Sequence, residues 1–102
     1  MKVLIAGKEV PVLLKSGRAL KNEYGLFCTE KEHIELREKM DVNLRRKTLA
    51  HECFHAFLFL TGYNELLLDI SPNAEEALAR AFEQSLGDLM VFNQELEDWI
   101  EG

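Results

Sequence analysis

Proline and glycine are scarce in this chain, with two Pro and six Gly among 102 residues. Nothing in it is biased enough to serve as a linker or low-complexity tract, so a single domain spanning 1–102 is expected. No apolar run approaches the roughly 18–20 residues of a membrane span, and the start Met1-Lys2-Val3-Leu4-Ile5 is too short for the core of a secretion signal. Both absences point to a cytoplasmic protein that does not enter a membrane. Only two cysteines occur, Cys28 and Cys53, in neither a C-x-x-C nor a zinc-knuckle spacing. Without a secretion signal they are expected as free thiols. Basic residues are nearly missing from one half: residues 48–102 hold Arg80 alone against eleven acids, whereas residues 1–47 hold the other eleven Lys and Arg with seven acids. The dense basic run Arg45-Arg46-Lys47 is short and sits beside that acidic half, which disfavours a nucleic-acid partner.

What is present suffices for a core, with 47% hydrophobic and 29% charged residues. The first third reads as β. Lys2–Ala6 and Val10–Leu14 are β-prone runs around Gly7-Lys8-Glu9, which predicts a hairpin with a three- or four-residue connection. Pro11 has no amide to donate and places the second run at a sheet edge or start. Tyr24–Thr29 reads as a third strand, and His33–Arg37 alternates polar and apolar residues like a half-buried fourth. Residues 17–23 stay open between loop and helical turn. Asn43 is the expected N-cap of a helix running through Leu60 to a stop at Gly62. A connection over Thr61–Ile70 comes next, with Leu66-Leu67-Leu68 folding back on the body. Ser71-Pro72 then signals a second helix, Ser as N-cap and Pro first in the helix, with Glu75 and Glu76 near its positive end. Apolar positions Ala79, Phe82, Leu86, Leu89, Leu96 and Ile100, with Asn93 in one polar slot, make that helix long and amphipathic.

The first helix is apolar almost all round between Leu49 and Leu60, apart from His51, Glu52 and His55. Burying unpaired imidazoles and a bare carboxylate would be costly, so these three need a purpose. His51-Glu52-Cys53-Phe54-His55 is an H-E-x-x-H pattern, which a shuffled chain of this composition would contain about once in a hundred. Residues i and i+4 share a helix face, so His51 and His55 can offer imidazole nitrogens to one ion. Glu52 can reach a zinc-bound water without ligating the zinc, as a general base for attack on a carbonyl. A third ligand must come from elsewhere. No His occurs after His55, and His33 is expected as a surface residue of a strand. Glu75 and Glu76 both flank the apolar stripe, and helical spacing does not choose between them. Glu65 and Asp69 in the connection and Glu83 on a polar side are weaker candidates.

The segment Thr48-Leu49-Ala50-His51-Glu52-Cys53-Phe54-His55-Ala56 resembles the active helix of gluzincin-type zincin metallopeptidases, in particular short phage- and prophage-encoded relatives of the ImmA/IrrE and SprT-like proteins. The run Glu76…Ala79…Phe82…Leu86…Leu89…Asn93 is similar to the second conserved helix of those proteins. The resemblance implies zinc held by His51, His55 and Glu76, with Glu52 catalytic. It also implies an edge strand above the active helix, which would be His33–Arg37, binding a protein or peptide substrate by strand addition. Cys53 stands where that family more often has Ile or Leu, and is expected as core packing. Tyr24 and Tyr63 are expected as partly buried aromatics with wet hydroxyls.

Together these readings give an α+β, minimal zincin-like domain: a small N-terminal sheet packed on the HExxH helix and a long C-terminal Glu-bearing helix. The expected function is zinc-dependent peptide-bond hydrolysis. The alternative is a zinc-stabilised regulatory or protein-binding module without proteolytic activity, and a larger protein partner fits either.

Overall fold

The computed structural model describes residues 1–91. It is an α+β fold of four strands and three helices: β1 (Lys2–Ile5), β2 (Lys8–Lys15), β3 (Gly25–Cys28), β4 (His33–Arg37), α1 (Val42–Thr61), α2 (Tyr63–Ile70) and α3 (Ala74–Val91). Asn93, Leu96 and Ile100 of the predicted long stripe lie outside the described residues. Among the described residues no helix is long and apolar enough to cross a membrane.

The sheet runs in the order β1-β2-β4-β3, with β2 and β4 parallel and the other neighbours antiparallel. Period-two alternation turns Val10 and Val12 of β2, Phe27 of β3, and Ile34 and Leu36 of β4 onto one buried face. Ile5 and Ala56 complete that cluster, and Leu49, Cys53, Phe59 and Leu60 of α1 pack against it. One helix thus covers one face of the sheet.

Several sequence expectations need correction. The β1–β2 connection has two residues, not three or four: Ile5 sits opposite Lys8, and Ala6 (φ 51°) and Gly7 (φ 80°) are both left-handed. That is the backbone of a type I′ hairpin turn, whose usual Asn-Gly signature is replaced here by Ala-Gly. β2 is not an edge strand. It changes partners at Pro11, pairing with β1 up to that residue and with β4 from Val12 onward, so the missing amide falls at the handover. The Val12 amide instead donates to the Met1 carbonyl at 2.8 Å. Residues 17–23, open in sequence between loop and helical turn, form turns that end where Lys21 (φ 53°) and Asn22 (φ 69°) leave the right-handed region.

The cap of α1 is Asp41, not Asn43; its carboxylate accepts from the amides of Asn43 at 3.0 Å and Leu44 at 3.3 Å. A carboxylate at the positive helix end also offsets the three basic residues of the first turns, a role the amide of Asn43 fills less well. Gly62 stops α1 in the left-handed conformation (φ 81°), as expected. Beyond Gly62 the chain forms α2, not an irregular connection, since Tyr63–Ile70 contains no breaker and several good helix formers. Of the three leucines expected to fold back only Leu67 is half-buried; Leu66 and Leu68 are exposed, and Ile70 is 76% exposed. Ser71 accepts from the Asn73 amide through Oγ, but Pro72 lies in the turn and α3 begins at Ala74.

Cys28 and Cys53 are both free and half-buried. Replacing Ala6 by Asn should relieve the left-handed strain and stabilise the fold by about 0.5–1 kcal/mol. The urea midpoint should rise with an unchanged slope, and Ala6→Val should lower it.

Candidate metal centre

His51 and His55 lie one turn apart on α1, with ring centroids 4.9 Å apart. They face the start of α3, which approaches closely because Ala79 is wholly buried against its surroundings and Phe82 packs on Phe54 with centroids 4.8 Å apart. Glu76 arrives between the two rings. Its Oε1 is 3.1 Å from His51 Nε2, its Oε2 is 3.2 Å from His55 Nε2, and the two Nε2 atoms are 3.2 Å apart. The three side chains form a group that could hold a metal ion.

The outward nitrogens have partners of their own. His55 Nδ1 is 2.6 Å from Glu75 Oε2, and His51 Nδ1 is 3.7 Å from Glu83 Oε2. A carboxylate at hydrogen-bond distance from Nδ1, as Glu75 is from His55, favours the proton there and leaves Nε2 to face inward. Both Nε2 atoms and the Glu76 carboxylate converge at contacts of 3.1–3.2 Å, an arrangement that a cation between them would suit. Helical spacing left Glu75 and Glu76 open; here Glu76 meets both inward nitrogens, while Glu75 orients His55 from behind. Glu83, expected on a polar side, instead faces His51. The adjacent signal was present in the sequence, since Glu83 lies seven residues after Glu76 and so on the same face of α3. Glu65 and Asp69 are exposed on α2 and do not belong to the group.

Glu52, next to His51 on α1, lies beside this group under Gly25 of β3 and is 7% exposed. Burial raises the pKa of its carboxyl above 4.5; the charges of His55 and His51 oppose that shift, and those of Glu76 and Glu23 add to it. The close fit depends on Gly25. A Cβ there would stand 2.7 Å from Thr48 Cγ2, 3.1 Å from Leu36 Cδ2 and 3.2 Å from Glu52 Cγ. Cys53 packs into the core as expected, and burial together with the Glu52 charge pushes its thiol up to about 11, so it is protonated and inert at neutral pH.

Two clefts meet at this group. One, of about 510 Å³, runs past Tyr24, Leu44, Lys47 and Arg80; the other, of about 460 Å³, runs past Leu26, Phe27, Phe59 and Asn64. Both are lined by Glu23, Gly25, His51, Glu52 and Glu76, so they are two arms of one groove along β3. The edge strand beside the site is therefore β3, and not His33–Arg37, which is hydrogen-bonded on both sides by β2 and β3. His33 is correspondingly not a surface residue: it is 8% exposed, with Nε2 2.7 Å from Glu35 Oε2. Tyr24 is half-exposed on the groove under the Arg37 guanidinium, 4.8 Å from its ring centroid, and Tyr63 is half-exposed on α2.

Chelator competition should rank the carboxylates. Glu76→Ala should lose metal by more than 100-fold, and Glu75→Ala by about 10–100-fold through the loss of its hold on His55. Gly25→Ala should overpack the β3–α1 contact and lower stability by about 1–3 kcal/mol in urea denaturation. No family model, curated protein or solved structure matches this chain, so its chemistry rests on this geometry.

Proposed function

We propose that this protein is a zinc-dependent peptide hydrolase. The observation that carries the reading is the convergence of His51 Nε2 and His55 Nε2, 3.2 Å apart, on the Glu76 carboxylate, whose Oε1 is 3.1 Å from the first and whose Oε2 is 3.2 Å from the second. Tetrahedral zinc with bonds of about 2.0–2.1 Å sets its ligands about 3.3 Å apart, close to the 3.2 Å between the two Nε2 atoms. Two imidazoles and one carboxylate also suit zinc better than calcium or magnesium, which prefer all-oxygen sets. Glu76 is nearly half-exposed, so the group opens onto the groove instead of being closed off as in a structural site.

Zinc, when bound, supplies Lewis acidity toward a carbonyl and the water that attacks it. The chain's own residues supply the rest. Among the described residues β3 is an edge strand with no second neighbour: the Arg37 amide donates to the Tyr24 carbonyl at 2.8 Å, which sets the ladder so that Leu26 and Cys28 bond to β4 while the amides and carbonyls of Gly25 and Phe27 face outward. An extended peptide added there lies across the groove with a carbonyl near Glu52. The water oxygen bonds to the carbonyl carbon, and its proton passes to the Glu52 carboxylate. The C–N bond breaks as Glu52 delivers that proton to the leaving nitrogen, giving a carboxylic acid and an amine. A buried carboxylate facing an open groove favours this over a metal that only staples the fold, since a staple has no use for Glu52.

Metal analysis should find about one zinc per chain, as the geometry of a single three-ligand group requires, and His51→Ala should remove it. Glu52→Gln should keep its zinc and melting temperature while losing about 10²–10⁴-fold in peptide cleavage. A Glu52→Gln variant that cleaves as fast as its parent, or a folded protein that takes up no zinc, would refute the reading.

A further inference from the structure

The two arms of the groove differ in chemistry. The arm beyond Gly25 carries Lys47 from α1 and Arg80 from α3. Arg80 is largely exposed, and its Nε lies 3.5 Å from Glu76 Oε1, the oxygen that faces His51. A guanidinium with further N–H donors therefore stands one contact away from the ligand group. The carboxylates in this arm are mostly committed: Glu76 to the two imidazoles, Glu83 to His51, and Glu52 buried against Gly25. Glu23 remains at its mouth. The arm beyond Phe27 has neither Lys nor Arg. Leu26, Phe27 and Phe59 line it, the two rings packed with centroids 5.6 Å apart, together with Thr29, Asn64 and Glu75, whose carboxylate is taken up by His55 at 2.6 Å.

Antiparallel addition is the better-bonded way to extend a sheet edge. A peptide antiparallel to β3 runs from the Cys28 end toward the Gly25 end, so its N-terminal part lies in the apolar arm and its C-terminal part in the arm of Lys47 and Arg80. We infer that the site selects peptides with an apolar side chain on the N-terminal side of the cleaved bond and a carboxylate on its C-terminal side, with Arg80 the specificity-determining residue. The inference rests on the hydrolase reading. The carboxylate has two sources, an Asp or Glu side chain or the peptide's own C-terminus, and both offer a guanidinium the same two oxygens.

The test is fluorescence anisotropy on the zinc-loaded Glu52→Gln variant with dye-labelled peptides. All carry Leu-Phe in the N-terminal half. Three end in amides and place Glu, Gln or Lys after the Phe-Ala bond, a fourth carries Gln and a free C-terminal carboxylate, and a fifth reverses the Glu peptide. The Glu peptide, the free-acid peptide or both should bind about tenfold tighter than the Gln amide, the scale of one charged hydrogen bond, and which of them does so names the source. Lys should bind weakest and the reversed peptide no better than Gln. Adding Arg80→Gln should erase the preference, with zinc content and melting temperature measured alongside, and Glu23→Gln should sharpen it. Equal binding of the Glu, Gln, Lys and free-acid peptides overturns the inference, as does a preference that survives Arg80→Gln or no peptide binding at all. Cleavage of the same set by the zinc-loaded parent, read by mass spectrometry, separates the two failures. Cleavage without preference sinks only the specificity, whereas no zinc-dependent cleavage sinks the hydrolase reading with it.

Discussion

Three acceptors aimed at one point set the terms for the rest of this structure. His51 and His55 turn Nε2 toward Glu76 while Glu75 and Glu83 stand behind their Nδ1 atoms. A cation held at that point would clamp α1 to α3. Within residues 74–83 of α3, Ala79 is buried and Phe82 packs on Phe54. The ligand group adds contacts between α1 and α3 beside that packing, so a metal bound there would couple to the folding of this helix. Four of the eleven acids among residues 48–102, Glu52, Glu75, Glu76 and Glu83, surround this one site.

The sheet serves that site through its order. A parallel β2–β4 pair forces β4 inside and leaves β3 at the edge, directly over the HExxH turn of α1. Gly25 then lets the edge strand close on Thr48 and Glu52 at distances that no side chain permits. The groove, the buried carboxylate and the edge strand are thus consequences of one crossover and one missing Cβ.

Much of the site was legible from the chain because its spacing is local. His51 and His55 share a face by helical geometry alone, and Glu52 stands out because a buried carboxylate on an apolar helix demands a reason. The choice of Glu76 over Glu75 was not legible from spacing, since adjacent residues differ by only 100° around a helix and both flank the buried stripe. The strands were found but not their neighbours. Alternation in His33–Arg37 marks a half-buried strand, and nothing local distinguishes an edge strand from one paired on both sides. Pro11 misled for the same reason, because its lost amide can fall at a partner change as well as at an edge. In Tyr63–Ile70 the adjacent leucines hid a helix whose apolar side is mostly exposed among the described residues.

The adjacency of Glu75 and Glu76 has a further consequence. One carboxylate meets the inward nitrogens and its neighbour meets the outward nitrogen of His55, so α3 grips the same imidazole from two sides. Sliding or rotating α3 by one residue would bring the wrong carboxylate to Nε2 and leave Nδ1 unpaired, and Glu83, two turns on, would lose His51 at the same time. Three carboxylates spread over two turns thus favour a single register for the first half of this helix. The same acids that complete the ligand set therefore fix the packing that places them there.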